Sequence, residues 1–183
     1  MPRLIAVCAV HELRRDSGSV GVTAIDKRAL EGAVRVGPFG VRGDVQASRK
    51  YHGGHDKALY AYAQEDAQFW EGELGRSLAP GWFGENLRVE GLDVNAAHIG
   101  DIWQIGDTVR VEVTEPRTPC ATFARWVGAP HERGWVKRFD AERRLGPYLR
   151  VRRAGSIQAG DEITVVPAPA GAPRLLDGYR SPR

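Results

Sequence analysis

A Gly-Asp pair stands just before a strand-like run four times, at Gly43-Asp44, Gly100-Asp101, Gly106-Asp107 and Gly160-Asp161. Glycine adopts positive φ without steric penalty and aspartate hydrogen-bonds its own turn backbone, so each pair predicts a tight turn. A chain turned this often is cut into short elements, and 22 Gly with 11 Pro in 183 residues extend the pattern along its whole length. Between the turns, residues 3–10, 20–25, 32–36, 57–62, 87–89, 102–105, 108–113, 148–152 and 162–166 are rich in β-branched or aromatic side chains and read as strands. In 108–113, Val109, Val111 and Val113 alternate with Thr108, Arg110 and Glu112, which sends one face inward. Helical signal is confined to residues 64–74 with Gly75 as the stop, to a segment opening at Thr118-Pro119-Cys120, and to 131–139. Many short strands with few helices predict a mainly β (β-rich α+β) fold, a closed or strongly curled β-barrel that leaves no exposed edges, with a β-sandwich as the alternative. One domain over 1–166 accommodates this. Residues 167–183, with four Pro and no periodicity, read as a flexible tail in which Leu175, Leu176 and Tyr179 are the residues able to dock.

Several classes are excluded early. Cys8 and Cys120 are too few for a disulfide framework or a four-cysteine zinc site, and two free thiols suit a reducing cytosol. The first residues lack a signal-peptide pattern, and no apolar stretch reaches the ~18 residues that span a bilayer. Charge is uneven: residues 117–153 hold ten Lys or Arg against three acidic residues. Such a block reads equally as a field for an anionic ligand and as a solvated face. Nucleic acid is disfavoured as a partner because the block lacks evenly interleaved aromatics for stacking.

Cys120 is the most informative position. With Thr118 as N-cap and Pro119 as first helical residue, Cys120 falls in a first helical turn, where free N–H groups and nearby Arg117 favour the thiolate, the nucleophilic and metal-ligating form. A buried, inert cysteine is the competing reading, and it is the one assigned to Cys8 within its apolar alternation. A second cluster, Tyr51-His52-Gly53-Gly54-His55-Asp56-Lys57, combines flexible backbone with His52 and Lys57 as donors for an anion; the glycines argue against a helical metal pair. In Gly81-Trp82-Phe83-Gly84-Glu85-Asn86-Leu87, a Gly-rich turn passing into a strand, Asn86 either reads a heterocycle edge or ties down the turn. Lys27, Arg28 and Arg42 are surface charges unless a ligand collects them.

In order, Ile25-Asp26-Lys27-Arg28, Arg42-Gly43-Asp44-Val45-Gln46-Ala47, His52-Gly53-Gly54 with Asp56-Lys57-Ala58, Phe83-Gly84-Glu85-Asn86-Leu87, Ile99-Gly100-Asp101 and Pro116-Arg117-Thr118-Pro119-Cys120 resemble the MOSC domain, named for the C-terminal part of molybdenum cofactor sulfurases, in its small stand-alone bacterial branch. The resemblance covers residues 25–166. It implies a cytoplasmic β-barrel enzyme, a molybdenum-dependent oxidoreductase. The implied cofactor is the molybdenum cofactor (molybdopterin), with Cys120 as catalytic residue and molybdenum ligand. Lys27, Arg28, Arg42, His52, Lys57, Asn86 and Arg117 are the implied cofactor-binding residues. The implied reaction is reduction of N-hydroxylated small molecules such as hydroxylaminopurine base analogues, with electrons from a separate redox protein. An alternative role for the family is sulfur carriage as a persulfide on Cys120, supplied by a pyridoxal-phosphate cysteine desulfurase.

Overall fold

The computed structural model describes residues 1–47, 53–128 and 134–182. The first half of the chain forms β1 (Arg3–Val10), β2 (Arg14–Arg15), β3 (Val22–Thr23), β4 (Lys27–Ala29), β5 (Val34–Gly37), β6 (Gly40–Val41), β7 (Leu59–Ala63) and helix α1 (Gln64–Leu74). The second half forms β8 (Leu87–Glu90), β9 (Ile102–Ile105), β10 (Val109–Pro116), α2 (Ala121–Val127), α3 (Trp135–Ala141), β11 (Pro147–Arg153), β12 (Gly155–Ile157) and β13 (Ile163–Val166). Helix α1 ends at Gly75, which caps it in the left-handed region at φ 62°. The Gly-Asp turns form as the residue chemistry requires at two clear cases. Gly100 and Gly160 take φ of 94° and 95°, and Asp101 and Asp161 accept hydrogen bonds from the N–H groups of His98 and Gln158.

The expected closed or strongly curled barrel is not found; the fold is mixed α+β built on separate sheets. Eight strands run in the order β13-β9-β10-β11-β7-β8-β1-β4, so β13 and β4 are the ends of an open ladder. Strands β12-β5-β6 form a second sheet and β2-β3 a third. Among the described residues, β1 and β13 share no ladder: Arg3 of β1 makes an isolated bridge with Glu162, just before β13, and backbone hydrogen bonds such as Leu4 N to Asp161 O and Ile163 N to Pro2 O join the two segments there. Two physical reasons account for the difference. Strands β7 and β8 pair in parallel, which needs a crossover, and α1 supplies it. Strand β7 is also buried on both faces: Leu59, Ala61 and Ala63 enter an aliphatic core, while Tyr60 and Tyr62 enter an aromatic one. Helices therefore cover a sheet face that a barrel would leave to solvent.

The aromatic core joins the helices to β7. Trp70 stacks on Phe139 at 5.5 Å, Phe123 meets Phe139 edge-on at 4.7 Å, and the Trp70 indole N–H donates to the Tyr62 hydroxyl at 3.0 Å. Each such ring buries enough apolar surface to contribute roughly 1.5–3 kcal/mol. Helix α3 begins at Trp135, and the expected start of that helix, 131–133, lies outside the described residues.

The Pro-rich C-terminal segment lies against the body. Ala168 N donates to Asp101 Oδ1 at 2.8 Å, Leu175 N to Ala97 O at 2.7 Å, and the Tyr179 hydroxyl to Asp140 Oδ1 at 2.6 Å. Leu175, 2% exposed, belongs to the aliphatic core. Among the described residues no helix is long and apolar enough to cross a membrane.

Cys8 is fully buried in β1, and burial pushes its thiol far above the usual range, so it stays protonated. Native protein treated with a thiol reagent is therefore expected to lose one thiol, Cys120, and denatured protein two. Mass spectrometry of the alkylated peptides reads this directly, and modification of Cys8 in the native state would contradict the packing.

Candidate functional site

A cavity of about 670 Å³ opens where β7, β11 and the end of β10 meet the start of α2. The register of the sheet builds it. Tyr60 of β7 lies opposite Tyr148 of β11, and Glu115 of β10 lies opposite Tyr148 on its other side. One residue past β10, Arg117 N still donates to Gly146 O at 2.9 Å, which carries the chain on in extended form to Cys120. Helix α2 consequently starts at Ala121, two residues later than the sequence predicts with Thr118 as N-cap and Pro119 as first helical residue, so Cys120 precedes the first turn instead of lying in it. Cys120 is itself the N-cap, extended at φ −135° and ψ 170°. It is a half-buried free thiol on the cavity wall.

Arg117 is the unusual group. The residue is 5% exposed, its guanidinium lies 4.6 Å from the Phe123 ring and 5.3 Å from the Tyr60 ring, and its Nη1 is buried without a hydrogen-bond partner. A guanidinium stays charged in any protein environment. Aromatic faces stabilise such a cation in part, but a buried donor left unpaired costs about 1–3 kcal/mol. The other charges of the wall are paired. Lys57 Nζ lies 3.2 Å from Glu115 Oε2, and Asp16 is bound by Arg125. The Arg125 hydrogen bonds hold the Asp16 carboxyl below the usual carboxylate range, against the effect of its burial. Burial pushes the Tyr148 phenol up to about 12, with Arg117 opposing, so it is neutral at physiological pH.

The residues singled out in the sequence divide into three groups. Lys27, Lys57, Asn86, Arg117 and Cys120 line this cavity. Arg28 and Arg42 are exposed and stand outside it, and His52 lies outside the described residues. Within the first group, Asn86 is turned inward. Its Nδ2 donates to Cys8 O and Asp44 Oδ2, and its Oδ1 accepts from Tyr60 N. Lys27 is bound to the same carboxylate at 2.5 Å, while Asp44 Oδ1 accepts from Val10 N. Asp44 is thus the hub of this wall, although its sequence setting signalled only a turn.

Sequence reasoning also missed two carboxylates. Glu85 and Arg88 are wholly buried beside the site. Asp16 joins the β2–β3 ribbon to α2. The basic block is answered by acids from elsewhere: Arg125 meets Asp16, Arg138 meets Glu73, Arg144 meets Asp66, and Arg150 meets Asp56. Its positive field is largely spent within the molecule.

Comparison with known proteins bears on the same segment. A family model described as the MOSC domain matches residues 48–164. The chain belongs to the MOSC domain family. Among MOSC relatives, YflK of Bacillus subtilis (strain 168) is 35% identical over 144 residues, 79% of this chain and 63% of that protein. A protein named Reductase from Gibberella moniliformis (strain M3125 / FGSC 7600) is 33% identical over 174 residues, 92% of this chain and 30% of its own length. The chain therefore spans less than two thirds of either relative. The crystal structure of YiiM from Geobacillus stearothermophilus superposes with a TM-score of 0.74 at 28% identity, over 96% of this chain and 80% of that one.

The residues present fit an anionic, metal-bearing cofactor. Arg117, whose buried Nη1 has no hydrogen-bond partner, and Cys120, a thiol of the kind that binds soft metals, line the same cavity, which has the volume of a small-molecule site.

Proposed function

We propose that this MOSC domain binds a molybdenum cofactor in the Cys120 cavity and reduces N-hydroxylated small molecules, hydroxylaminopurine base analogues among them, with electrons from a separate redox protein. The observation that carries the reading is the buried, unpaired Nη1 of Arg117 beside the Cys120 wall. Family membership and a relative named Reductase support it. When bound, the cofactor supplies a metal centre able to take up and pass on an electron pair.

The chain's own residues supply the rest. Cys120, as thiolate, holds the metal, and Arg117 donates to an anionic oxygen of the cofactor. Tyr60 and Tyr148 keep water from the inner end of the cavity, and the neutral Tyr148 phenol has a proton to offer. The net reaction takes a hydroxylamine nitrogen, two electrons and two protons to an amine and water, with cleavage of the N–O bond. The sulfur-carrier alternative, with its desulfurase, requires no cavity of this size, and nothing among the described residues favours it.

Protein made in a host that synthesises molybdopterin is expected to convert 6-N-hydroxylaminopurine to adenine with reduced viologen as donor. Cys120→Ala is expected to lower that rate by more than about 100-fold, since even outer-shell changes at metal sites cost roughly 10–100-fold. Metal-loaded wild-type protein that leaves N-hydroxylated substrates untouched overturns the reductase reading.

A further inference from the structure

We propose that the β2–β3 ribbon is a hinged lid on the Cys120 cavity, latched to α2 by Asp16. Gly18, Ser19, Val20 and Val22 of this hairpin form part of the cavity wall. The ribbon nevertheless belongs to neither larger sheet. Its ladder consists of Arg14↔Thr23 and Arg15↔Val22, and a two-stranded ribbon is marginal by itself.

The tip is held by one carboxylate. Asp16 Oδ1 accepts from Arg125 Nε at 2.7 Å, while Oδ2 accepts from Arg125 Nη2 at 2.7 Å, Thr122 Oγ1 at 3.0 Å and Gly18 N at 3.1 Å. The Asp16 side chain is 8% exposed, while its partner Arg125 reaches solvent at 39% exposure, so the latch is a charge-assisted pair at the surface edge of the cavity. The base of the ribbon is held separately, by Arg14 Nε on buried Asp26 Oδ2 at 2.6 Å, with the same guanidinium 5.4 Å from the Trp126 ring. Release of Asp16 therefore frees the tip while the base stays anchored. Arg125 and Thr122 lie on the helix that Cys120 caps, so the latched ribbon narrows the cavity beside the thiol, which it leaves half-buried. A ligand too large for the narrowed entrance enters with the latch undone.

Gly18 offers a second way to disturb the latch without removing a charge. A Cβ there would stand 2.7 Å from Asp16 Oδ2 and 3.2 Å from Arg125 Nη2, so Gly18→Ala pushes the pair apart.

The test uses the full chain without cofactor and measures the rate at which iodoacetamide alkylates Cys120 in wild type, Asp16→Asn and Gly18→Ala. Both variants are expected to alkylate roughly tenfold faster, because charge-assisted hydrogen bonds shift a local opening equilibrium by about an order of magnitude. Cys8, fully buried, is the fold monitor and is expected to stay unmodified. Wild-type rates in both variants overturn the lid. Alkylation of Cys8 alongside Cys120 also overturns it, because the ion pair would then support the whole fold. Neither outcome depends on molybdenum, so failure of the lid and failure of the cofactor reading are separate results.

Discussion

Arg117→Met is expected to make the cofactor-free protein more stable and the cofactor harder to retain. In the free protein the guanidinium is buried with Nη1 unpaired, at a cost of about 1–3 kcal/mol. The Phe123 and Tyr60 faces return part of that, on the order of 0.5–2 kcal/mol. Methionine fills a similar volume between the same rings without a charge, and such replacements of buried charges are often neutral or stabilising. A net gain of about 1 kcal/mol would raise the melting temperature by roughly 2–4 °C in a chain of this size. The holoprotein moves the other way, because a charge-assisted bond to an anion contributes about 1.5–3 kcal/mol, which is roughly a 10- to 100-fold weaker hold on the cofactor when it is lost. Thermal melts of the free protein and metal content after dialysis read the two halves. A lower melting temperature with undiminished retention would mean that Arg117 serves packing alone.

Glu85→Ala is expected to give the largest loss of stability of any single change near the site. Glu85 Oε1 accepts from Gly81 N at 2.8 Å and from Arg88 Nε at 2.8 Å, and Oε2 accepts from Phe83 N at 3.0 Å. Arg88 also donates to Gln64 Oε1 at 3.0 Å and Ala79 O at 3.3 Å, and both side chains are wholly buried. Truncating the carboxylate strands a buried cation and two backbone N–H groups together, and breaking a buried pair from one side costs about 3–5 kcal/mol. The melting temperature should fall by roughly 10 °C or more. A fall of only a degree or two would show that water or a shifted side chain replaces the carboxylate easily.

Parts of this molecule are legible from local chemistry. Strand β1 is a long apolar alternation and α1 carries Trp70 and Leu74 at helical spacing ahead of Gly75, so both are found where the residues predict. The contrast between Cys8 and Cys120 is legible too, because one sits inside an apolar run and the other follows Arg117-Thr118-Pro119; the first is core and the second lines a cavity. Alternation reports which side chains turn inward from a strand, but not what covers the opposite face. For that reason the helical layer over Tyr60 and Tyr62 went unseen and a barrel was expected. Strands β2 and β6, two residues each, are too short to show any period. Charge in a turn looks the same whether it faces solvent or a cavity, which is why Arg28 and Arg42 were grouped with Lys27 although they stand apart from the cavity. A carboxylate and an arginine three residues apart, Glu85 and Arg88, flanking buried Leu87, were the one available signal for the buried pair.

Metal analysis of protein purified from a molybdopterin-competent host is expected to find molybdenum bound to wild type in near-stoichiometric amount and lost from folded Cys120→Ala, as the proposed ligand role of Cys120 requires. Wild type without molybdenum, or Cys120→Ala that retains it in full, would mean that Cys120 does not hold the metal.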